Sequence, residues 1–337
     1  MNITAVINLT QKNTVDIEAI MEKVLIVLYS LTIVIGTFGN TVVIWVTGYR
    51  MRGTVINVWL CNLAFADLIF CFTRVISLIK NLFFSYWPFG NFLCKFNGFF
   101  KYANMFCSVF LLAVISIDRC ISVIYPVWIR QWRTVRTARV TSLAIWGLAA
   151  GFSLPYFIFR HTSMDPENGN LTKCSLDVPG SNDGSQTKLA LYILRFLCGF
   201  FIPFLVISTC YSLAACKLKQ MRLPRKNKSL KVIVALVCAF FLCWAPYHIF
   251  LLAKMVNKKS MAVKVGLPIF KGLAYFNSCI NPLLYFCMGL DISKKFNQTL
   301  SGVYRKALAE DSYFSTPGRL TKREKSSVGN SLDVAIL

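Results

Sequence analysis

Long apolar runs alternate with short polar ones along this chain. Read in order, the apolar blocks run over 24–47, 57–79, 92–124, 140–159, 189–215, 230–255 and 265–288. Each is about 20 residues or longer, the length at which a helix crosses the hydrocarbon core of a bilayer. Strands of a membrane barrel would be about 10 residues long and would alternate in polarity, whereas these blocks are continuous and rich in Leu, Ile, Val and Phe. A helix pairs every backbone group within its own segment, so the pattern predicts an all-α protein, a bundle of seven membrane-spanning helices. The expected organisation is an outer segment over 1–23, the bundle over 24–288, a short amphipathic surface helix over 289–307 and a polar, disordered tail over 308–337.

Composition changes this picture in one respect. The 337 residues carry 37 Lys and Arg against 14 Asp and Glu, a net charge of +23, yet only 15% are charged and 56% are hydrophobic. A soluble domain has about 25% charged residues. A basic excess alone would suggest a nucleic-acid partner, but here the basic residues fall between the apolar blocks and after them. Arg50 and Arg52, then Arg130, Arg133 and Arg136, then Lys217, Lys219, Arg222, Arg225, Lys226, Lys228 and Lys231, then Lys294, Lys295, Arg305 and Lys306 all fall on one side of the bundle. The positive-inside tendency makes that side cytosolic, with the N-terminus outside and the C-terminus inside. Residues 1–23 lack the pattern of a cleaved signal, so the first span is expected to act as its own insertion signal. The sequons at Asn2, Asn8 and Asn170 then fall outside as glycosylation candidates, while those at Asn227 and Asn297 fall inside. Of the 13 cysteines, eleven lie in or at the edges of apolar blocks, where a thiol acts as a small hydrophobe; the other two are Cys94, at the outer start of the third block, and Cys174, in the loop after the fourth. Those two share the oxidising side, and a bridge between them is expected, two free thiols being the alternative.

Ionisable groups at membrane depth are costly, which draws attention to Asp67. Asn40, Asn104, Ser108, Asn277, Ser278 and Asn281 sit at comparable depth and offer oxygens for a small hard cation such as sodium, or else a structural hydrogen-bond knot. Arg74, Lys101, Arg160, Arg195 and Lys271 lie in the outer half with no outer-half carboxylate against them. Cations facing one cavity favour an anionic ligand, and the fork of arginine suits a carboxylate, although each alone can also snorkel to the headgroups. There is no CxxC, no phosphate-cradling loop, and only His161 and His248, placed by position at opposite ends of the bundle. Metal or acid–base catalysis is therefore not expected, and without self-similarity between the halves neither is a transporter.

Gly39-Asn40, Asn62-Leu63-Ala64-Phe65-Ala66-Asp67, Asp118-Arg119-Cys120, Trp146, Pro203 with Tyr211, Cys243-Trp244-Ala245-Pro246 and Asn281-Pro282-Leu283-Leu284-Tyr285 resemble, one anchor per span, the rhodopsin-like G-protein-coupled receptors. Within them, Cys94-Lys95-Phe96, Ser108 to Leu112, Asp118 to Val123, Pro126-Val127-Trp128, Phe159-Arg160-His161-Thr162 and Arg195 to Phe200 are similar to the chemoattractant group, chemerin-type receptors first and formyl-peptide receptors next. Cys216-Lys217-Leu218 and the tail over 307–311 point the same way.

That resemblance implies a plasma-membrane receptor whose Arg160 and Arg195 hold the C-terminal carboxylate of a chemerin-like peptide, in a pocket with Lys101, Arg74, Lys271, Tyr102 and Tyr275. An acidic lipid mediator or a formylated peptide is the alternative, and Tyr102 stands where formyl-peptide receptors carry an acidic contact. The partners implied are a heterotrimeric G protein of inhibitory type, receptor kinases and arrestin, with Ser312, Ser315, Thr316, Thr321, Ser326, Ser327 and Ser331 as phosphorylation candidates. The implied switch runs from Trp244 and Phe240, through a hinge at Pro246 and the Asp67 centre, to Asp118, Arg119, Tyr211 and the Asn281, Pro282, Tyr285 group, where an asparagine beside the proline mends the broken backbone. Lys226 stands near where many members carry an acid, so Asp118 is expected to be the main restraint on Arg119, with appreciable basal activity. No cofactor beyond an allosteric sodium ion is expected.

Overall fold

The computed structural model of the protein describes residues 3–50, 53–164, 171–176, 184–220, 228–257 and 260–287. The expectations on Asn2, Asn170, Lys226, the surface helix over 289–307 and the phosphorylation candidates of the tail lie outside the described residues, as do the side chains of Asn8 and Tyr285.

The chain forms α1 (Ile3–Trp45), α2 (Val55–Phe83), α3 (Gly90–Ile124), the short α4 (Pro126–Trp132), α5 (Val135–Ile158), a hairpin of β1 (Arg160–Met164) and β2 (Thr172–Leu176), α6 (Gly184–Phe196), α7 (Ile202–Gln220), α8 (Lys228–Val256) and α9 (Met261–Cys287). Together α6 and α7, joined through a π-helical turn at Leu197–Phe201, make one span, so seven helical passes build the bundle. Pro203 explains that turn: it has no N–H for the carbonyl of Gly199, and the chain takes an extra residue around the gap. Among the described residues, six passes are long and apolar enough to cross a membrane; α9 falls below that level because Lys264, Lys271, Asn277 and Asn281 interrupt it. The first helix begins at Ile3, well before the apolar block. No Pro or Gly stands between Ile3 and Lys23 to break it, so the expected outer segment continues the helix.

Helix starts follow the local sequence. Thr54 caps α2 by accepting from the N–H of Asn57 at 3.4 Å, and Thr134 caps α5 by accepting from the N–H of Thr137 at 3.1 Å. The central helix is α3, packed against α2, α5, α7 and α8, while α1 lies against α2 and α9 and α8 lies against α9. Gly39 lets α1 approach α9, since a Cβ there would come within 2.8 Å of the Pro282 ring. Pro282 also leaves the carbonyl of Ser278 without its helical donor, and the Asn40 amide supplies one at 2.9 Å. The repair comes from the first helix, not from the neighbouring Asn281 expected to make it.

The hairpin is antiparallel, pairing Arg160 with Leu176 and Thr162 with Cys174. A disulfide between Cys94 and Cys174, 80 residues apart, ties it to the first turns of α3, as expected from the cysteine positions. Trp87 and Thr172 exchange two further hydrogen bonds, at 2.7 and 2.6 Å. The hairpin marks one end of the bundle; the opposite end carries Asp118, Arg119 and α4.

Candidate functional site

Below the hairpin, Arg195 is 1% exposed, at the last turn of α6. Its Nη1 donates to the hydroxyls of Tyr102 at 3.0 Å and Tyr247 at 3.3 Å. The guanidinium also lies 5.1 to 5.4 Å from the ring centres of Tyr102, Tyr192 and Tyr247. Tyr156 stacks on Tyr102 at 3.7 Å and is held by donating to the carbonyl of Leu191 at 2.8 Å. Nε and Nη2 of Arg195 are buried and have no hydrogen-bond partner. The arrangement is a cation caged by phenols, with half of its donor fork unspent. Buried N–H groups of a charged side chain are costly to leave unmade, so this is where an acceptor from outside would gain most.

Lys101, next to Tyr102 in sequence, stands beside this cage, its Nζ 5.0 Å from the ring of Tyr102, 6.0 Å from that of Tyr247 and 5.4 Å from that of Tyr275. Lys271 reaches the Tyr275 ring at 5.8 Å. Tyr275 in turn packs on Tyr29 and Phe70, at 5.8 and 5.2 Å. Arg74 has a different environment. It is buried, but its Nη2 donates to Asn97 at 2.7 Å and to Thr73 at 3.3 Å, and it lies over Phe70 and Tyr275. Arg160 sits on β1, its side chain against Gly98 and its Nη1 3.6 Å from the Cys174 sulfur, in the wall of a cavity of about 640 Å³ that also contains Tyr192. The two arginines expected to share one carboxylate thus occupy neighbouring compartments with Tyr192 between them.

At mid-bundle, Asp67 is fully buried. Asn104 donates to its Oδ1 at 3.2 Å and Asn281 to its Oδ2 at 2.7 Å, with Ser278 beside it. Ser108 Oγ and Asn277 Oδ1 are buried without hydrogen-bond partners. Just outward, Trp244 packs against Phe240 at 5.9 Å and Tyr247 at 5.8 Å, two residues before Pro246. His248, near these in the outer half of α8, contacts Phe196 and Phe200. It therefore belongs to the same half as His161 on β1, not to the opposite end, because α8 carries it past Pro246 toward the hairpin.

At the opposite end, Asp118 accepts from Nε of Arg133 at 2.9 and 3.2 Å, whereas Nε of Arg119 is 3.9 Å away and buried without a hydrogen-bond partner. The main partner of Asp118 is Arg133, just past the end of α4, and not the adjacent Arg119. Consecutive residues on a helix point in different directions, so Arg133 reaches the carboxylate more directly. Tyr211 faces Ser116 and Arg119.

Sequence reading named Tyr102 and Tyr275 but missed Tyr156, Tyr192 and Tyr247. Tyr192 stands three residues before Arg195, one helical turn away, a spacing that identifies it as a neighbour on the same face.

The pattern described as 7 transmembrane receptor (rhodopsin family) matches residues 39–285. The chain belongs to the rhodopsin family of seven-transmembrane receptors. Among its relatives, chemerin-like receptor 1 of Homo sapiens is 39% identical over 305 residues, covering 87% of this chain and 82% of the relative. The C3a anaphylatoxin chemotactic receptor of Danio rerio is 39% identical over 289 residues, covering 85% and 78%. Formyl peptide receptor 2 of Mus musculus is 35% identical over 349 residues, covering 98% and 97%. The receptor thus falls in the chemoattractant group. It is not an enzyme, and its family implies an extracellular ligand and a G protein as partners.

Proposed function

We propose that this receptor takes an anionic ligand at its hairpin end, facing the extracellular medium from the plasma membrane, and that the anion is the free C-terminal carboxylate of a chemerin-like peptide. The supporting observation is the buried Arg195, with two nitrogens unpartnered inside a cage of tyrosines. A carboxylate would complete the fork, and Lys101 beside it would add a second charge. Ligand binding would repack Trp244 and Phe240 below the cage and favour a state in which the opposite end of α8 swings out around Pro246. Arg119, Tyr211 and Tyr285 would then meet a G protein of inhibitory type, with arrestin following phosphorylation of the tail.

A sodium ion at the Asp67 centre is the second part of the proposal. The buried carboxylate would supply the charge and the unpartnered Ser108 Oγ and Asn277 Oδ1 would supply further oxygens, while Asn104 and Asn281, whose N–H groups now face the carboxylate, would have to turn their amides to offer theirs. The residues that would hold it are Asp67, Asn104, Ser108, Asn277 and Asn281, and the ion would supply positive charge that stabilises the carboxylate in one state of the bundle.

The test is suppression of cyclic AMP and recruitment of arrestin in cells expressing the receptor, challenged with a chemerin C-terminal peptide as free acid and as amide. The free acid alone should signal, and Arg195→Ala should abolish the response at equal surface expression. Silence of both peptides would remove the peptide-carboxylate reading and turn the search to acidic lipids.

A further inference from the structure

At the end opposite the hairpin, the short helix α4 is joined to α3 by Tyr125 and to α5 by Arg133 and Thr134. Its apolar residues do not all turn inward. Ile129 is half-buried, whereas Trp128 and Trp132 are 56 and 60% exposed, with ring centres 6.4 Å apart. Four residues apart on a helix, they share one face. Two indoles side by side are a costly surface to leave in water. An indole, with an apolar body and one N–H donor, is favoured instead at the boundary between headgroups and acyl chains.

The adjoining surface shows where that boundary lies. Val140 and Leu143 are exposed in the second and third turns of α5, a helix that spans the membrane, so they face lipid. Arg136 is exposed too, and it stands four residues before Val140 and seven before Leu143, the spacing of a single helix face. Toward the end of α5 this face passes from aliphatic side chains to a guanidinium, and the chain then turns through Thr134 and Arg133 to the indoles of α4. Apolar side chains, a cation and indoles in succession mark the edge of a bilayer. We propose that α4 lies on the membrane, with Trp128 and Trp132 seated at the headgroup level of the cytosolic leaflet and Arg136 holding an anionic phospholipid, and that this seat fastens Arg133 to Asp118. Only the assignment of the leaflet rests on the hairpin facing outward. The occupant is lipid because the indoles follow directly on the lipid-facing stripe of α5 and because that leaflet carries the anionic headgroups a guanidinium takes. Val127, 82% exposed, stands about 100° around α4 from Trp128 and leaves a separate face for a protein partner. The link to Asp118 is short. Arg133 follows Trp132 directly, its backbone N–H donates to the carbonyl of Ile129 at 2.8 Å, and its Nε donates to Asp118 at 2.9 Å. Fixing the indoles therefore fixes the backbone from which that guanidinium reaches.

The experiment uses the full-length receptor in nanodiscs, whose two leaflets are alike, so its outcome does not depend on orientation. The indole signal is the tryptophan fluorescence of the receptor minus that of a Trp128→Leu/Trp132→Leu variant. Phosphatidylcholine brominated just below the headgroup should lower this signal roughly twofold, and lipid brominated near the chain ends should lower it less. Replacing part of the phosphatidylcholine by phosphatidylserine should increase the quenching, and Arg136→Gln should remove the increase. Arg133→Ala should lower the melting temperature of the parent receptor, and by clearly less in a Trp128→Gln/Trp132→Gln background, the non-additivity expected of residues that act through one element. If iodide in the water quenches the indole signal and brominated lipid does not, the indoles face water and the proposal fails. If phosphatidylserine acts equally on Arg136→Gln, the phospholipid seat is wrong. If Arg133→Ala costs the same in both backgrounds, the link to Asp118 is wrong.

Discussion

Asp67 and Arg195, two of the charged side chains buried among the described residues, have opposite surroundings. Asp67 is 0% exposed and meets two amide donors, one on each carboxylate oxygen, from Asn104 and Asn281. Arg195 is 1% exposed and meets rings and two phenol oxygens on one nitrogen, with its other two nitrogens unpartnered. The Asp67 site joins α2, α3 and α9 by hydrogen bonds the chain makes with itself. The Arg195 site is built to the same depth but left half-made. A buried charge that the fold has satisfied maintains the fold or its switch; one that the fold has left short of acceptors is a receptor for something else.

The comparison is most exposed at Arg195. Truncating one member of a buried, hydrogen-bonded charge pair costs about 2–5 kcal/mol, so Arg195→Ala should weaken binding of a free-acid peptide by about thirtyfold to several thousandfold. The receptor should still reach the surface, because removing a half-satisfied cation leaves few groups stranded. Arg195→Lys should recover only part of the loss, since an ammonium cannot present two parallel donors. Saturation binding at matched surface expression checks both. If Arg195→Ala prevented folding and left the affinity of the surviving receptor unchanged, Arg195 would be a structural charge like Asp67.

Asp67→Ala should show the reverse. It leaves the amides of Asn104 and Asn281 without acceptors, at about 1–3 kcal/mol for each buried donor, so the detergent-solubilised receptor should melt several degrees lower while ligand affinity falls much less. Asp67→Asn preserves shape and should remove any dependence of agonist affinity on sodium, measured by exchanging sodium for a large organic cation at constant ionic strength. An equal sodium effect in Asp67→Asn would leave the Asp67 centre as a hydrogen-bond knot only.

The fold was legible because a spanning helix declares itself locally, in about 20 consecutive apolar residues. The disulfide was legible because Cys94, at the outer start of the third block, and Cys174, in the loop after the fourth, share the oxidising side. The hairpin at Arg160–Leu176 was not, since five-residue strands with mixed polar residues carry little periodicity. Nor was the length of the first helix, because polar residues without Pro or Gly are compatible with both helix and loop. At the site, the cations were visible as unpaired charges in apolar sequence. Their separation into two compartments was not, because it depends on where the disulfide pins β1 relative to α6. The repair of the Pro282 break by Asn40 was hidden for the same reason: a gap in one helix is filled from another, 238 positions away in the chain.

Within the Arg195 cage, rings and hydroxyls can be told apart. Tyr102→Phe removes one acceptor and keeps the stacked ring, so ligand affinity should change by about 0.5–1.5 kcal/mol, the net worth of a hydrogen bond, or roughly tenfold at most. Tyr102→Leu also removes the ring 3.7 Å from Tyr156 and 5.3 Å from the guanidinium, and should cost clearly more. Equal losses in the two variants would mean that the hydroxyl alone orients Arg195, making the cage resemble the hydrogen-bonded Asp67 site.

The smallest effect is expected where charges are neither fully buried nor left unmade. Asp118 is paired with Arg133 at 2.9 Å, both side chains keep some contact with solvent, and Arg119 waits at 3.9 Å. Removing Arg133 therefore frees the carboxylate for Arg119 and removes a cation near it. Both changes hold Arg119 more firmly in the bundle, so Arg133→Ala should lower ligand-independent signalling. Partly solvated pairs are worth about 0.2–1 kcal/mol, which limits the fall to roughly fivefold. Basal cyclic AMP suppression, normalised to surface receptor, reads it directly. A rise would mean that Arg133 restrains the inactive bundle through Asp118, reversing the order of the two arginines.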